Sequence, residues 1–523
     1  MLRRATFVHN STRRRYSPYG RADRQWGHSE SVQNLKKAEW DRVVQQHPVL
    51  GLIISGLLPH TFVGEPGFLQ FFQSIKYNCL PTNFILSNLK TLHIISTGFV
   101  QDQLERVNNV ALSCELWKTT TNKTYMTTTC HLIDDAWTQM SFVLETTPLP
   151  EAYTPKNVVV QLLKIAQKWK IKSKIKVVIT NVDGIKREIK NCGWEYIPCF
   201  AHTLDVVFRA TLEASSDWKE LAQRCCCIAQ YFSQNVEAQA QLKEAQTKLW
   251  LSPDNLIESN ADRWLSTLKM LERITEQHKA IREVLISSNN DLFLTESENE
   301  DIKKAIACLK VFQGVMTAAD TAKRYHLLSN VIPQVEDMKQ KLSELELSGN
   351  EFAKELAESF IHFGEIKEND WLTLSTALDV RYRDNVLSDR VNLTCIKIKI
   401  RGEMLETRVS LRQPNNLDEA LNRYLNKEIL RRDWDPHAFW KFPKDEDWHL
   451  SEVARKYLTA VSTAMPADVA FDTEKASLVA SRRSSLDPQH LNMMLFLNGN
   501  SFELSATKSR EGEIYNLFEV LNI

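Results

Sequence analysis

Apolar and polar residues alternate in one stretch of this chain and recur at helical spacing almost everywhere else. From Trp40 to about Val110 the period is helical, with a break at Pro59 and a second helix opening near Pro66. At Asn109 the character changes. "NNVALSCELWKTTTNKTYMTTTCHLIDDAWTQMSFVLETTPLP" alternates and is rich in Thr, Val, Tyr and Trp, which predicts three strands with turns near "TTTNK" and "IDDAW". "TPKNVVVQLLKIAQKWKI" predicts a helix with Thr154 as N-cap, Pro155 at its first position and an apolar face of Val158, Leu162, Ile165, Ala166 and Trp169. "KVVIT" reads as a short buried strand, a helix begins near Gly184, and "WEYIPCFAHTLDVVFRA" supplies a last strand feeding a helix. The order of these pieces describes a mixed sheet flanked by helices.

After Leu204 the pattern predicts no strand as far as about residue 450. "DWKELAQRCCCIAQYFSQNVEAQAQLKEAQ", "RWLSTLKMLERITEQHKAIREVL" and "DIKKAIACLKVFQGVMTAADTAKRYHLLSNVIPQVEDMKQKLSEL" each read as amphipathic helix. A large all-helical region after an α/β sheet is either a second domain or an insertion into the first. Near Ser451 come "SEVARKYLTAVSTA" and then "SSLDPQHLNMMLFLNGNSF". The latter has Asp487 as N-cap, Pro488 in the first turn and a strongly apolar helix through Phe496.

The 523 residues suggest two or three domains, and the 43% apolar and 25% charged fractions are those of ordinary globular chains. Sixty-five basic residues balance sixty-five acidic ones, so contact with nucleic acid has to come from a local patch. Such a patch stands at the front. Residues 1–32 hold Arg3, Arg4, Arg13, Arg14, Arg15, Arg21 and Arg24 against Asp23 and Glu30, which predicts a disordered basic arm. It reads equally as a phosphate-binding or nuclear-import segment and as a solvated tail. No apolar run is long enough for a membrane span, no secretion signal is expected, and ten scattered cysteines fit the cytosol or nucleus.

Candidate chemistry is sparse. Cys225, Cys226 and Cys227 point in different directions on a helix and cannot close round one zinc ion. Cys199 and His202 form half of a zinc site with no second half in reach, so a structural role is expected, with His202 bonding neighbouring backbone. Asp134–Asp135 reads as turn chemistry, and "TESENEDIKK" as a solvated helix start. Zinc-finger, Walker-loop and nucleophile-elbow motifs are missing, and no cofactor or metal is expected.

Taken in order, several stretches resemble the hAT superfamily of DNA transposases and, within it, the domesticated proteins related to BED zinc fingers. "NVALSCELWKTTTNKTYMTTTCHLIDDAW" resembles the first strands of that family's RNase H-like domain. "SFVLETTPLPEAYTPKNV" resembles the segment after those strands, with Tyr153 where a His is usual. "VVITNVDG" and "YIPCFAHTLDVV" are similar to the next two strands. "ADRWLSTLKMLER", with Arg263 and Trp264, resembles the R-W-x-S-T-x-x-M-L-x-R helix, and "TALDVRYRD" the L-D-P-R stretch, with Val380 replacing the proline. "RRSSLDPQHLNMMLFLNGN" resembles the end of the C-terminal dimerisation region. The likeness runs from about Pro59 to Asn500.

That resemblance implies an α/β plus all-α chain: an RNase H-like mixed sheet split by a large helical insertion, with an N-terminal helical segment. The expected divisions are the arm at 1–32, the N-terminal helices at 33–108 and the first RNase H-like part at 109–210. The insertion is expected at 211–450, the return of that domain with the dimerisation region at 451–505, and a tail at 506–523. The family's chemistry is two-metal phosphodiester hydrolysis and strand transfer, with two Mg²⁺ ions about 3.5–4 Å apart held by three acids. The aligned positions here carry Glu115, the neutral Asn181 and, where the third motif is not kept, Asp468 or Val469. These departures imply a retained scaffold with lost catalysis. Members of this type often carry an N-terminal BED finger, and only the arginine-rich arm stands at the front here.

The expected function is that of a nuclear, catalytically inactive protein acting as a homodimer through DNA, chromatin or other nuclear proteins. Arg3, Arg4, Arg13, Arg14 and Arg15 are its candidate DNA contacts, and Leu491, Met494, Leu495, Phe496 and Leu497 its candidate dimer face. The apolar face of that last helix reads equally as intramolecular core. One alternative is a working transposase using Glu115, Asp183 and a C-terminal acid such as Glu474. Another is an interaction protein without nucleic-acid contact.

Overall fold

The computed structural model describes residues 36–74, 81–119, 122–259, 263–288, 290–317, 326–366, 369–383, 390–406, 417–441, 448–464 and 486–504. The chain divides into two compact units. One comprises residues 1–53, 60–102 and 504–523, the other residues 54–59 and 103–503.

In chain order the first helices are α1 (36–46), α2 (Pro48–Gly56), α3 (Pro66–Ser74) and α4 (Thr82–Arg106). Pro66 opens α3, where its missing N–H costs nothing. The first unit buries Leu50, Ile85, Leu89, Leu92 and Phe99, and Lys36 pairs with Asp102 at 2.6 Å.

The second unit contains the sheet: β1 (Val110–Lys118), β2 (Thr124–Ile133), β3 (Gln139–Pro148), β4 (Ile175–Thr180) and β5 (Glu195–Pro198). The strand order is β3-β2-β1-β4-β5. β1–β2 and β2–β3 are antiparallel, while β1–β4 and β4–β5 are parallel. The parallel pairing needs a crossover, supplied by α5 (Pro155–Lys168). Its start follows the sequence signal: Thr154 and Asn157 form a reciprocal capping box, and Val158, Leu162, Ile165 and Ala166 are buried. α6 (Lys186–Asn191) joins β4 to β5, and α7 (Phe200–Ala214) leaves the sheet.

Beyond α7 the described elements are helices: α8 (Ser216–Gln234), α9 (Val236–Lys248), α10 (Trp264–Ser287), α11 (Glu296–Thr317), α12 (Val331–Leu347), α13 (Glu351–Glu358) and α14 (Asp370–Leu378). α15 (Arg390–Glu406), α16 (Leu417–Leu425), α17 (Pro436–Trp440), α18 (Trp448–Leu458) and α19 (Pro488–Leu504) complete the described part. Two of the stretches read as amphipathic helix hold more than one helix each. Asn235 leaves the helical conformation and its side chain accepts from the N–H groups of Glu237 and Ala238, so α9 starts afresh. Residues 296–347 likewise hold α11, a 3₁₀ turn at Leu328–Asn330 and α12. One apolar cluster runs from Ala111, Val177, Ile179 and Ile197 of the sheet into these helices, so the helical part covers one sheet face.

α19 seals the free edge of β3. The Asn500 side chain accepts from Val143 N–H at 2.9 Å and donates to Val143 C=O at 3.0 Å, standing in for a neighbouring strand. Asn492 accepts from Thr146 N–H at 2.8 Å. Contact is close enough that a Cβ on Gly499 would lie 2.3 Å from Val143 Cγ2.

Candidate functional site

β1 and β4 run side by side, with Cys114 opposite Thr180, so Glu115 and Asn181 come together where the two parallel strands end. Both ends of the Asn181 amide make a hydrogen bond there. Its Oδ1 accepts from Leu116 N–H at 3.0 Å and its Nδ2 donates to Leu116 C=O at 3.1 Å. The side chain thereby extends the β1–β4 ladder by one peptide-like pair. Only an amide offers both a donor and an acceptor for this; an ionised carboxylate has no proton to give.

Glu115 is buried and lies opposite Thr127 on β2. Thr127 Oγ1 accepts from Trp117 Nε1 at 3.0 Å and lies 3.0 Å from Thr146 Oγ1, while Trp117 stacks on Tyr125. One step along the same face, both ring nitrogens of buried His131 bond serine hydroxyls, Ser141 and Ser113, each at 2.8 Å. The face beside Glu115 is therefore a hydroxyl-rich, satisfied polar layer.

Asp183 lies in the turn after β4 with its side chain 92% exposed, aided by Gly184 at φ +69°. His202 corrects the expectation made for it. Its Nε2 bonds no backbone group and lies 3.8 Å from Asp183 Oδ1, beyond hydrogen-bond reach. Burial pushes its pKa down; Asp183 opposes that, and the cations Arg209 and Arg263 reinforce it.

Cys199 is buried. Burial raises its pKa and keeps it a thiol, and its Sγ accepts from Ala464 N–H at 3.2 Å. Beside it Phe200 N–H donates to Ser462 C=O at 2.8 Å, and Ser462 N–H donates to His326 C=O at 2.8 Å. Residues 460–464 thus stitch the end of the sheet to the start of the 3₁₀ turn before α12. Nothing local in "LTAVSTA" signals this, because every partner is remote in sequence.

Arg263 and Trp264 part company: the arginine is exposed ahead of α10, while Trp264 is buried edge-to-face on Phe312 and donates its N–H to Asp205 at 3.0 Å. In "TALDVRYRD", Asp379 and Arg381 form a buried ion pair at 2.8 Å that also takes in Ser329 and Asn330. The pair of aspartates between β2 and β3 behaves as turn chemistry, with Asp134 accepting from Thr138 N–H at 2.7 Å. Cys225 is buried and its two neighbours half-buried, splayed round α8. Leu491, Met494, Leu495, Phe496 and Leu497 are all buried within the chain, Phe496 against Trp169. Their apolar face is therefore already covered by the chain itself. Arg3, Arg4, Arg13, Arg14, Arg15, Asp468, Val469 and Glu474 lie outside the described residues. Among the described residues, no three His, Cys, Asp or Glu side chains converge to hold a metal ion, and no helix is long and apolar enough to cross a membrane.

A five-stranded mixed sheet that runs into a long helical region, with a C-terminal helix returning to the sheet edge, defines an RNase-like domain with a helical insertion. Three family models match in chain order: the ZBED1 RNase-like domain over residues 113–192, the ZBED1 RNase-like helical domain over 197–310, and the hAT family C-terminal dimerisation region over 420–501. The human zinc finger BED domain-containing protein 4 is 22% identical over 525 residues, covering 88% of this chain and 44% of that protein. The mouse zinc finger BED domain-containing protein 6 is 23% identical over 273 residues, covering 47% of this chain and 27% of that protein. The chain thus carries regions similar to the RNase-like and dimerisation regions of hAT-derived proteins, and over most of its length it is similar to a BED-finger protein. It spans less than half the length of the curated relatives it matches.

Proposed function

We propose that the chain is a catalytically silent hAT transposase scaffold that works in the nucleus as a homodimer, contacting DNA or chromatin weakly through its basic arm and engaging other nuclear proteins. The reading of silence rests chiefly on the Asn181 amide, whose oxygen is already committed to Leu116 N–H. A hard divalent cation sheds water only where fixed anionic oxygens replace it. Glu115 and Asn181 together offer one anionic group, too few for a pair of ions carrying four positive charges, so these residues do not fit the family's metal pair. Dimerisation is supported by the match over residues 420–501.

The test is a nicking assay on end-like DNA in Mg²⁺ or Mn²⁺. No cleavage is expected from the unmodified chain, and little from Glu115→Asp combined with Asn181→Asp. Metal-dependent cleavage that disappears in Glu115→Ala would overturn the reading.

A further inference from the structure

Ten lysines and arginines stand between Lys156 and Lys190 against two acids, Asp183 and Glu188. In a chain whose total charge cancels, this is a concentrated excess of positive charge on folded elements. The stretch comprises α5, the turn at 170–174, β4 and α6. α5 and α6 pack beside each other. Their buried side chains stand outside the apolar cluster that joins the helical part to the sheet, so both helices lie on the sheet's other face.

Some of these charges hold the fold. Lys168 pairs with Glu145, Lys190 with Glu195 at 3.8 Å, and Lys174 Nζ donates to the C=O groups of Leu104 and Glu105 at 2.8 and 3.1 Å. Others do not. Lys156, Lys164, Lys170, Lys172 and Arg187 are exposed, and among the described residues none of their side chains has an acidic partner. Lys156 and Lys164 stand on the outward side of α5, about two turns apart. Lys170 ends α5 in the left-handed conformation, at φ +56°, where glycine is the unstrained choice. Lys172 lies close to Cys192, just past α6: burial raises that thiol's pKa, and Lys172 opposes the rise. The turn and α6 therefore present their charges together.

The Lys170–Lys172 end of this patch is remote from Glu115 and Asn181. It sits where β4 begins, while Asn181 follows the end where β4 finishes, about 20 Å away along the strand. Composition says what the patch suits. Val160, at 42%, is the large apolar side chain exposed there, and Trp169, the aromatic residue of the stretch, is buried. Protein interfaces are depleted in lysine and anchor on aromatic and arginine side chains, while single strands are held by bases stacked on exposed rings. A duplex backbone needs neither, because its phosphates take positive charge without an apolar anchor.

We propose that the outer face of α5 and α6 binds the phosphate backbone of duplex DNA without sequence preference, as a second and weaker contact beside the basic arm. This rests on the DNA-contact reading above and places part of that contact on the folded chain. The test is fluorescence anisotropy of a labelled duplex at about 50 mM salt. The patch variant carries Lys164→Glu, Lys172→Glu and Arg187→Glu. The control carries Lys339→Glu, Lys341→Glu and Lys354→Glu, exposed lysines of α12 and α13, and changes the total charge equally. Each set is made in the full chain and in the chain lacking residues 1–32. Without the arm, the expected result is weak binding that the patch set reduces at least tenfold and the control set leaves within twofold. In the full chain the patch set should flatten the slope of log K against log salt by about 3. Thermal melts check folding; should the patch variant fail to fold, Lys164→Gln, Lys172→Gln and Arg187→Gln decide. Equal affinities for the patch and control variants would overturn the proposal and leave the arm reading standing. An arm deletion without effect would overturn the arm contact alone, and the patch comparison still decides this one. A full chain that binds no duplex would overturn both. Polyglutamate that displaces the duplex from the armless chain at a lower concentration of charge than unlabelled duplex does would overturn the choice of DNA in favour of an acidic protein.

Discussion

Position 181 shows how one atom changes the part a residue plays. Asparagine and aspartate share a shape, but the amide nitrogen supplies the proton that Leu116 C=O receives. With aspartate there, the carbonyl loses its donor and faces a negative oxygen instead. Leaving one partly buried acceptor unpaired costs about 1–3 kcal/mol. Asn181→Asp should therefore lower stability by that amount in urea titration at neutral pH, with or without Mg²⁺. Full recovery of stability on adding Mg²⁺ would mean that the position still serves as a metal ligand. The type of residue at 181 was legible in the sequence, but its bond was not, since Leu116 is 65 residues away. For His202 the difficulty is similar: Arg209 shares its helix, but Asp183 and Arg263 come from other segments. Where a side chain bonds within its own turn, as Thr154 does with Asn157, the sequence was enough.

Among elements, the strands were the most readable part of the chain, because alternation and turn residues are local. β1, β2 and β3 lie where the pattern placed them, with Asn122 N–H bonded back to Thr119 C=O ahead of β2 and a turn at "IDDAW" between β2 and β3. The helical region was harder, since an amphipathic period continues across a break that one residue imposes. Asn235 separates α8 from α9 without disturbing the apolar spacing on either side. α19 was legible as an apolar helix with Asp487 at its cap, which accepts from Gln489 and His490 N–H. Its asparagines were not legible as ladder partners for β3. Gly499 is the tightest point of that docking, because an added methyl group would meet Val143 rather than open space. Gly499→Ala should destabilise the chain by about 1–3 kcal/mol, the usual cost of overpacking a fitted contact. The check is a chemical-denaturation midpoint. An unchanged midpoint would mean that α19 does not sit this close to β3.

For the molecule as a whole, charge is the property that most limits function. Sixty-five positive and sixty-five negative side chains give no overall field to draw nucleic acid in, so any attraction comes from a local patch, and the seven arginines of residues 1–32 are one candidate. Each phosphate neutralised contributes about −0.9 to the slope of log K against log salt. With all seven engaged the slope would be roughly −6. Deleting residues 1–32 should remove most DNA binding and flatten that slope in fluorescence-anisotropy titrations across salt. Unchanged affinity after the deletion would place the contact elsewhere on the chain.

The sealed edge of β3 also governs how this protein is made. Val143 and the asparagine that covers it are 357 residues apart in the chain. At roughly 5–20 residues per second, a ribosome that has just released β3 needs about 20–70 s more to deliver Asn500. Throughout that interval the N–H and C=O of Val143 lack their partner, on an edge strand whose open groups suit pairing with another chain. The nascent protein carries an open sheet edge for most of its synthesis, until α19 emerges to close it.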